Sequence, residues 1–296
     1  MNFLTVEQLT TRQVSLLKSL VLICKKHDKY TIPFYPTLLN KPRPVPSTIL
    51  CMHKNKLIAF TSAFFFYQDS CEIAVIVDPK YRRRGIAKKL LTKILSIIEK
   101  FAIHYLIFSA PHELHTFWFL QQGFTYERSE YQLKKKLQTQ TPATPGLSTV
   151  LPETNIRLAT PEDIPILCSI NEACFATVSP NLQERFKYLF ANVEYTILVL
   201  EKNGKIIGKL HSQQINNNAN FTDIAILPEF QKMGYGKYLL NFCINFCANK
   251  KLSYITLDVE ITNKSALKLY TNLGFTVINA YDFWKISIAK CINILK

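Results

Sequence analysis

The chain has 296 residues, 48% hydrophobic and 19% charged, with a formal net charge of +15. That balance belongs to globular rather than disordered protein, and the length suits one large domain or two ordinary ones. No apolar run approaches the ~20 residues needed to cross a bilayer, and the start, Met1-Asn2-Phe3-Leu4, lacks the basic-then-apolar pattern of a secretory signal.

Taken in chain order, periodicity and turn chemistry predict a helix at about 5–27, a hairpin through Lys54-Asn55-Lys56 and a strand at 71–77. A helix at 84–100, a strand at 103–109, a short helix at 113–121 and a strand after Phe124 follow. Residues 139–155 are rich in Thr and Pro and have neither periodicity, which predicts a linker between a domain at 1–138 and another at 156–296. The second domain starts with a strand at 156–159. Thr160-Pro161-Glu162-Asp163 then caps a helix running to about 175, and another helix spans about 181–191. Strands at 195–200 and 205–210 flank an Asn203-Gly204 turn. A strand at 221–227, a helix to about 248, a strand at 253–259, a helix at 264–273 and terminal strands from Thr276 complete the order. The expected class is mixed α/β: two tandem domains, each a mostly antiparallel twisted sheet flanked by helices with one βαβ crossover.

The charge is uneven, with 21 Lys/Arg against 9 Asp/Glu in residues 1–138 and 15 against 12 in 139–296. A field of that sign favours an anionic partner, whether a phosphorylated cofactor, nucleic acid, or an acidic protein or membrane surface. Because the basic residues form no long block, a lysine-rich solvated surface accounts for them equally well. Eight cysteines follow no paired framework. Cys243 and Cys247 read as two buried thiols on one helix, since no His or Cys stands at zinc-ligand spacing. No metal site is expected, and the chain reads as reduced and cytosolic.

The most informative feature is a repeat. Val75-Ile76-Val77-Asp78-Pro79 leads to Arg82-Arg83-Arg84-Gly85-Ile86-Ala87-Lys88, and Ile224-Ala225-Ile226-Leu227-Pro228 leads to Gln231-Lys232-Met233-Gly234-Tyr235-Gly236-Lys237. Gly85 and Gly234 stand 149 positions apart, and Gly123-Phe124 and Gly274-Phe275 follow at matching places. A period of about half the chain means a duplicated domain, not a solenoid. Arg/Gln-x-x-Gly-x-Gly/Ala between a strand and a helix can hold a pyrophosphate: backbone N–H groups converge at the helix start, and the helix dipole favours an anion. A single copy could be mere turn geometry. Two copies with the same flanks are specific.

On these residues, and on Asp258-Val-Glu260-Ile-Thr-Asn263 through Tyr270-Thr-Asn-Leu-Gly274-Phe275, the chain resembles the GNAT family of acyl-CoA-dependent N-acetyltransferases. The likeness covers about 156–290 closely and is most specific from Asn263 to Phe275. It implies acetyl-CoA as cofactor, held by the backbone of Ile224, Ala225 and Ile226, by the turn Lys232, Met233, Gly234, Tyr235, Gly236 and Lys237, and by Asn263. In the first half the corresponding residues are Val75, Ile76, Val77, Arg83, Arg84, Gly85, Ile86, Ala87 and Lys88, with Arg82 adding charge. The resemblance makes Tyr270 the acid that protonates the departing thiolate. An attacking amine must be neutral, so a base is needed. Asp258 and Glu260 share one strand face, Asp258 takes the place of the catalytic glutamate of ribosomal-protein N-terminal acetyltransferases, and Asp223 is a third carboxylate within reach.

The first half departs from the pattern. Phe119 stands at the place of Tyr270, His112 at that of Asn263, and Ile107 and Ser109 at those of Asp258 and Glu260. That implies a first domain able to bind CoA but not to acetylate. His104, His112 and His115 read as solvated or locally bonded. The function expected is acetyl-CoA-dependent transfer to a primary amine (a protein N-terminus, a lysine or a small amine) in the second domain. The alternative is a CoA-binding recognition module for an acidic protein or nucleic acid. Tandem members of the family include mycothiol synthase and VipF-like bacterial secreted effectors. The Lys/Asn/Ile-rich composition suits the latter, which would place the protein in a host cytosol.

Overall fold

The structure is a computed structural model that describes residues 1–137, 151–175 and 181–296. Residues 138–150, which take in most of the linker expected at 139–155, lie outside the described residues. The chain forms two compact units that interleave in sequence. The first comprises Met1–Tyr131, Glu260–Thr262 and Asn279–Lys296; the second comprises Gln132–Val259 and Asn263–Ile278.

In the first unit, β1 (Asn2–Val6), α1 (Thr11–Asp28), a short α2 (Pro36–Leu39), β2 (Thr48–His53), β3 (Lys56–Phe64) and β4 (Ser70–Val77) precede α3 (Ile86–Ile98), β5 (Tyr105–Pro111), α4 (Thr116–Gln121) and β6 (Thr125–Lys136). The helix expected at 5–27 starts six residues late, because Thr10 and Gln13 form a reciprocal capping box there. Residues 2–6 instead pair antiparallel with 48–52. Strands β1 to β4 are antiparallel neighbours, and β4 pairs β5 in parallel across α3. One face packs α1 through Leu17, Leu20, Phe60 and Phe64. The other packs α3 through Ile86, Leu90, Ile94, Ile73 and Phe108.

The second unit runs β7 (Thr154–Leu158), α5 (Ile164–Cys174), α6 (Leu182–Ala191), β8 (Tyr195–Lys202), β9 (Lys205–Ile215), β10 (Asn218–Ile226), α7 (Tyr235–Asn249), β11 (Tyr254–Glu260) and α8 (Lys264–Asn272). Its topology matches: β7 to β10 antiparallel, β10 to β11 parallel across α7. The end of β6 belongs here, with the Leu137 N–H donating to the Ser253 carbonyl.

The chain then closes with β12 (Thr276–Ser287) and α9 (Ile288–Leu295), a helix that periodicity had not suggested. Residues 281–287 pair antiparallel with 105–111, so the last strand lies beside β5 in the first unit, and Trp284 and Cys291 enter that unit's core.

Candidate functional site

In each unit the parallel ladder stops at a matching place. The parallel ladder β4–β5 ends at Ile73 and Phe108, and β10–β11 ends at Phe221 and Leu257. Beyond those pairs the strands part, leaving the backbone of Val75–Val77 and Ile224–Ile226 along one side of a gap. Each leading strand then passes through one 3₁₀ turn, Pro79–Tyr81 or Pro228–Phe230, into the glycine turn. The two turns share backbone conformation: φ is positive at Arg83 and Gly85, and at Lys232 and Gly234. Alternation of that kind converges successive N–H groups on one point, an anion nest at a helix start. A Cβ at Gly234 would meet nothing within 4 Å, so the glycine is there for its φ of +89°.

The turns are anchored alike. The Arg82 Nε donates to the Val77 carbonyl at 3.0 Å, and the Gln231 amide to that of Ile226 at 2.9 Å. Cys24 and Cys174 approach the same two carbonyls at 3.5 and 3.4 Å. Arg82 does not add free charge to its turn, as its sequence position suggested, because its guanidinium grips Asp28 with both terminal nitrogens. Burial would raise the Asp28 carboxyl, but Arg82 and His27 hold it below the usual range.

The second unit holds the expected polar set. Tyr270, on α8, is buried against Phe275, and burial pushes its phenol up to about 12, which keeps it protonated at neutral pH. Asn263 caps α8 by accepting from the Ala266 N–H, leaving its amide hydrogens for other partners. Gly236, in the first turn of α7, lies against Leu269, the neighbour of Tyr270. Asp258 and Glu260 are both exposed, on one face of β11; Glu260 is grouped with the first unit and accepts from Thr262. Asp223 lies on the neighbouring strand, and Arg185 donates to it.

The first unit differs as the sequence indicated, and also in ways it did not. Phe119 is buried and stacks on Trp284 at 5.1 Å. His112 lies 2.6 Å from Asp282, which also accepts from Ser129 and from the Glu113 N–H, so it is locally bonded and caps no helix. Between the parted strands is a cavity of about 310 Å³ with largely apolar walls. Val75, Ile76, Val77 and Ala87 line it with Phe108 and Phe119, and so does Ser109, whose buried hydroxyl has no partner. A carboxylate that the motifs did not single out, Glu72, is buried on β4 itself with Tyr35 donating to it at 2.8 Å. Burial raises Glu72 to about 7. Its signal in the sequence was a lone acid in an apolar strand, Ser70-Cys-Glu72-Ile-Ala-Val75.

Among the described residues, no cluster of His, Cys, Asp or Glu could hold a metal, and no helix is long and apolar enough to cross a membrane. All eight cysteines are free.

The profile of the Acetyltransferase (GNAT) family matches residues 15–124 and again 164–275. The putative [ribosomal protein bS18]-alanine N-acetyltransferase of Bacillus subtilis (strain 168) is 31% identical over 121 residues, 40% of this chain and 77% of that protein. The [ribosomal protein bS18]-alanine N-acetyltransferase of Escherichia coli (strain K12) is 31% identical over 81 residues, 27% of this chain, which spans about half of that relative's length (55%). Among solved structures, a GCN5-related N-acetyltransferase from Sphaerobacter thermophilus superposes with a TM-score of 0.73 at 15% identity, covering 97% of this chain and 96% of that one. A tandem GNAT protein from the clavulanic acid biosynthesis pathway gives 0.67 at 13%, covering 97% and 98%. At those identities the two structures speak for the fold. With its family profile matched twice and its paired glycine turns built on one plan, the chain belongs to the GNAT family of acetyltransferases and carries two of its domains.

Proposed function

We propose that the protein transfers an acetyl group from acetyl-CoA to a primary amine by direct attack within a ternary complex, with the chemistry in the second unit. The observation that carries this reading is a matched pair: an anion-binding turn at Gly234 and, across the α7–α8 contact, a buried phenol at Tyr270 where the first unit has Phe119. Acetyl-CoA, when bound, supplies the activated acetyl thioester. The backbone of Ile224–Ile226 lines its gap, the nest from Lys232 to Lys237 takes the pyrophosphate, and Asn263 offers its amide. Asp258 accepts the proton of the acceptor's ammonium, directly or through water, and Tyr270 donates to the thiolate sulfur. The first unit binds CoA in its apolar cavity without acetylating, since Phe119 cannot donate a proton.

The likeness to bS18-alanine N-acetyltransferases makes a peptide with an N-terminal alanine the first acceptor to test, followed by lysine peptides and small amines. Incubating the full chain with acetyl-CoA and each acceptor should add one acetyl mass to at least one of them, and Asp258→Asn should slow that transfer by about 10²-fold or more. No mass shift on any acceptor would sink the catalytic reading. Unchanged turnover in Asp258→Asn would move the base elsewhere.

A further inference from the structure

The second unit gathers a group of buried and half-buried charges that the cofactor turn, Asp258 and Tyr270 leave unexplained. Lys209, on β9, is fully buried, and its ammonium lies 3.4 Å from His211 Nε2 and 3.4 Å from the backbone carbonyl of Asp223. His211 is also buried, and its Nδ1 lies 3.0 Å from Asp223 Oδ2. With Nε2 facing the Lys209 ammonium, the imidazole proton is assigned to Nδ1, which is close to that carboxylate although the pair lacks hydrogen-bond alignment. Arg185 reaches in from α6 to the same oxygen at 2.5 Å. Phe175 and Phe186 stand 5.5 Å from the ammonium, and the thiols of Cys168 and Cys174 on α5 complete its titratable surroundings.

All four groups meet at an irregularity. Thr222 pairs with His211 and Ala225 with Lys209, so β10 has three steps where β9 has two. Asp223 falls in that extra step with φ of +49°, a left-handed conformation that Asp tolerates better than most residues. The bulge pushes the strand toward β9. A Cβ at Gly208 would stand 2.8 Å from the Ala225 carbonyl and 2.4 Å from Ile226 Cδ1, so only glycine fits there. The first unit supplies the control. There β3 and β4 pair without a shift from Ala59–Val77 to Phe64–Glu72. By register Ala59 takes the place of Gly208, Phe60 that of Lys209, and Ser62 that of His211.

We infer that Lys209, His211 and Arg185 are positioning residues: they clamp Asp223 from its carboxylate and its carbonyl, and so fix the bulge that sets the backbone of Ile224–Ile226 along the acetyl-CoA gap. The inference rests on the proposed cofactor site of the second unit. Bulges beside active sites re-aim the strand that carries them, and a backbone displaced by about an ångström at a reacting centre can cost 10²-fold. Lys209 itself is costly to the fold. Burial holds Lys209 down to about 8, the attraction of Asp223 notwithstanding, so carrying its charge at neutral pH weakens the fold, and stability rises as pH climbs through 8. Burial likewise lowers His211 to about 4, leaving it neutral. Burial alone would raise Asp223, but His211, Lys209 and Arg185 outweigh it and hold the carboxylate well below its usual range. An apolar side chain at 209, where the other unit has Phe60, removes the cost of charging Lys209 and leaves Asp223 to His211 and Arg185.

The test uses the full chain and three variants, Lys209→Met, Arg185→Met and Arg185→Lys, with CoA titrated by calorimetry, acetyl-CoA kinetics measured and thermal midpoints recorded. The second-unit isotherm is identified as the one that Gly234→Glu lacks. Lys209→Met should keep or raise the midpoint while weakening CoA at that site about tenfold or more, seen in KM before kcat. Arg185→Met should weaken it similarly, and Arg185→Lys should restore most of the affinity. Wild-type affinity in Lys209→Met, or a loss matched by a falling midpoint, overturns the inference. If the wild-type chain binds CoA but acetylates nothing, the titration still decides the clamp while the catalytic reading falls. If the second unit binds no CoA, both fall.

Discussion

In the first unit the strand entering the glycine turn runs straight, with Val75 opposite Thr61 and Val77 opposite Ala59. In the second, the matching strand carries one extra residue and a buried salt-linked cluster. The sheet faces behind the two turns differ accordingly: Phe60, Ser62 and Ala74 in one, Lys209, His211 and Asp223 in the other. The wall at α4 or α8 differs as well, with Phe119 stacked on Trp284 against Tyr270 beside Phe275. Yet both glycine turns keep the same alternation of backbone handedness. The two units are more alike in the glycine turn than in the surfaces around it. The turn answers to backbone geometry alone, whereas a strand face can be apolar or charged.

The sharpest way to break this comparison is to remove the turns one at a time. Gly234→Glu places a side chain and a negative charge where φ is +89° and phosphate is expected, and should abolish acetyl transfer and one CoA site. Gly85→Glu should abolish the other, so that calorimetry counts two sites in the wild type and one in each variant. A single site in the wild type, lost only with Gly234→Glu, would mean that the first cavity holds something other than CoA.

Next in size is the exchange of the two aromatic residues. Tyr270→Phe should lower kcat by about 10²–10⁴-fold while leaving KM for acetyl-CoA within a few-fold, because the hydroxyl acts chiefly as the thiolate leaves. The reverse change, Phe119→Tyr, puts a hydroxyl into a buried aromatic stack. It should cost about 1–3 kcal/mol of stability and confer no new activity. Wild-type kcat in Tyr270→Phe would assign protonation to another group or to water.

The smallest effect is on stability, and it reads the strand face of the first unit. Glu72 keeps its proton in the folded state to about pH 7, because burial outweighs the hydrogen bond from Tyr35. An unfolded glutamate loses that proton near 4.5, so folding is favoured below that value and the advantage is lost as pH rises to 7. Glu72→Gln keeps an acceptor for Tyr35 and removes the dependence. Its thermal midpoint should exceed wild type at pH 8, by a free energy on the order of 3 kcal/mol, and match it near pH 4. Equal midpoints at pH 8 would show Glu72 ionised at little cost.

Much of this was legible in the sequence. The 149-residue spacing and the Pro-x-x-x-x-x-Gly pattern fixed the paired turns, because glycine at positive φ leaves a local signature, and the Asn203-Gly204 turn did the same for its hairpin. Tyr270 and Phe119 were distinguishable by alignment on Gly274 and Gly123. The strand face was not legible, because a one-residue bulge changes register without changing composition: at a constant spacing Glu72 aligns with Phe221, whereas the ladders give it the place of Asn220. Nor could local pattern show that Arg82 is neutralised by Asp28, fifty-four residues earlier, or that Trp284 stacks on Phe119. Those are facts of tertiary contact, on which periodicity is silent.

The seating of residues 281–287 beside β5 bears on how the protein is made. A ribosome delivers β1 to β5 with the outer edge of β5 unpaired, and that edge waits while some 170 further residues are translated, at about 5–20 residues per second. For that interval of roughly ten seconds or more the nascent first unit offers a hydrophobic strand border to any extended segment nearby. Nonsense truncation, or a stop inserted after residue 275, would leave the border open permanently. Such products should be recognised by chaperones and proteases, although every residue of both glycine turns is present.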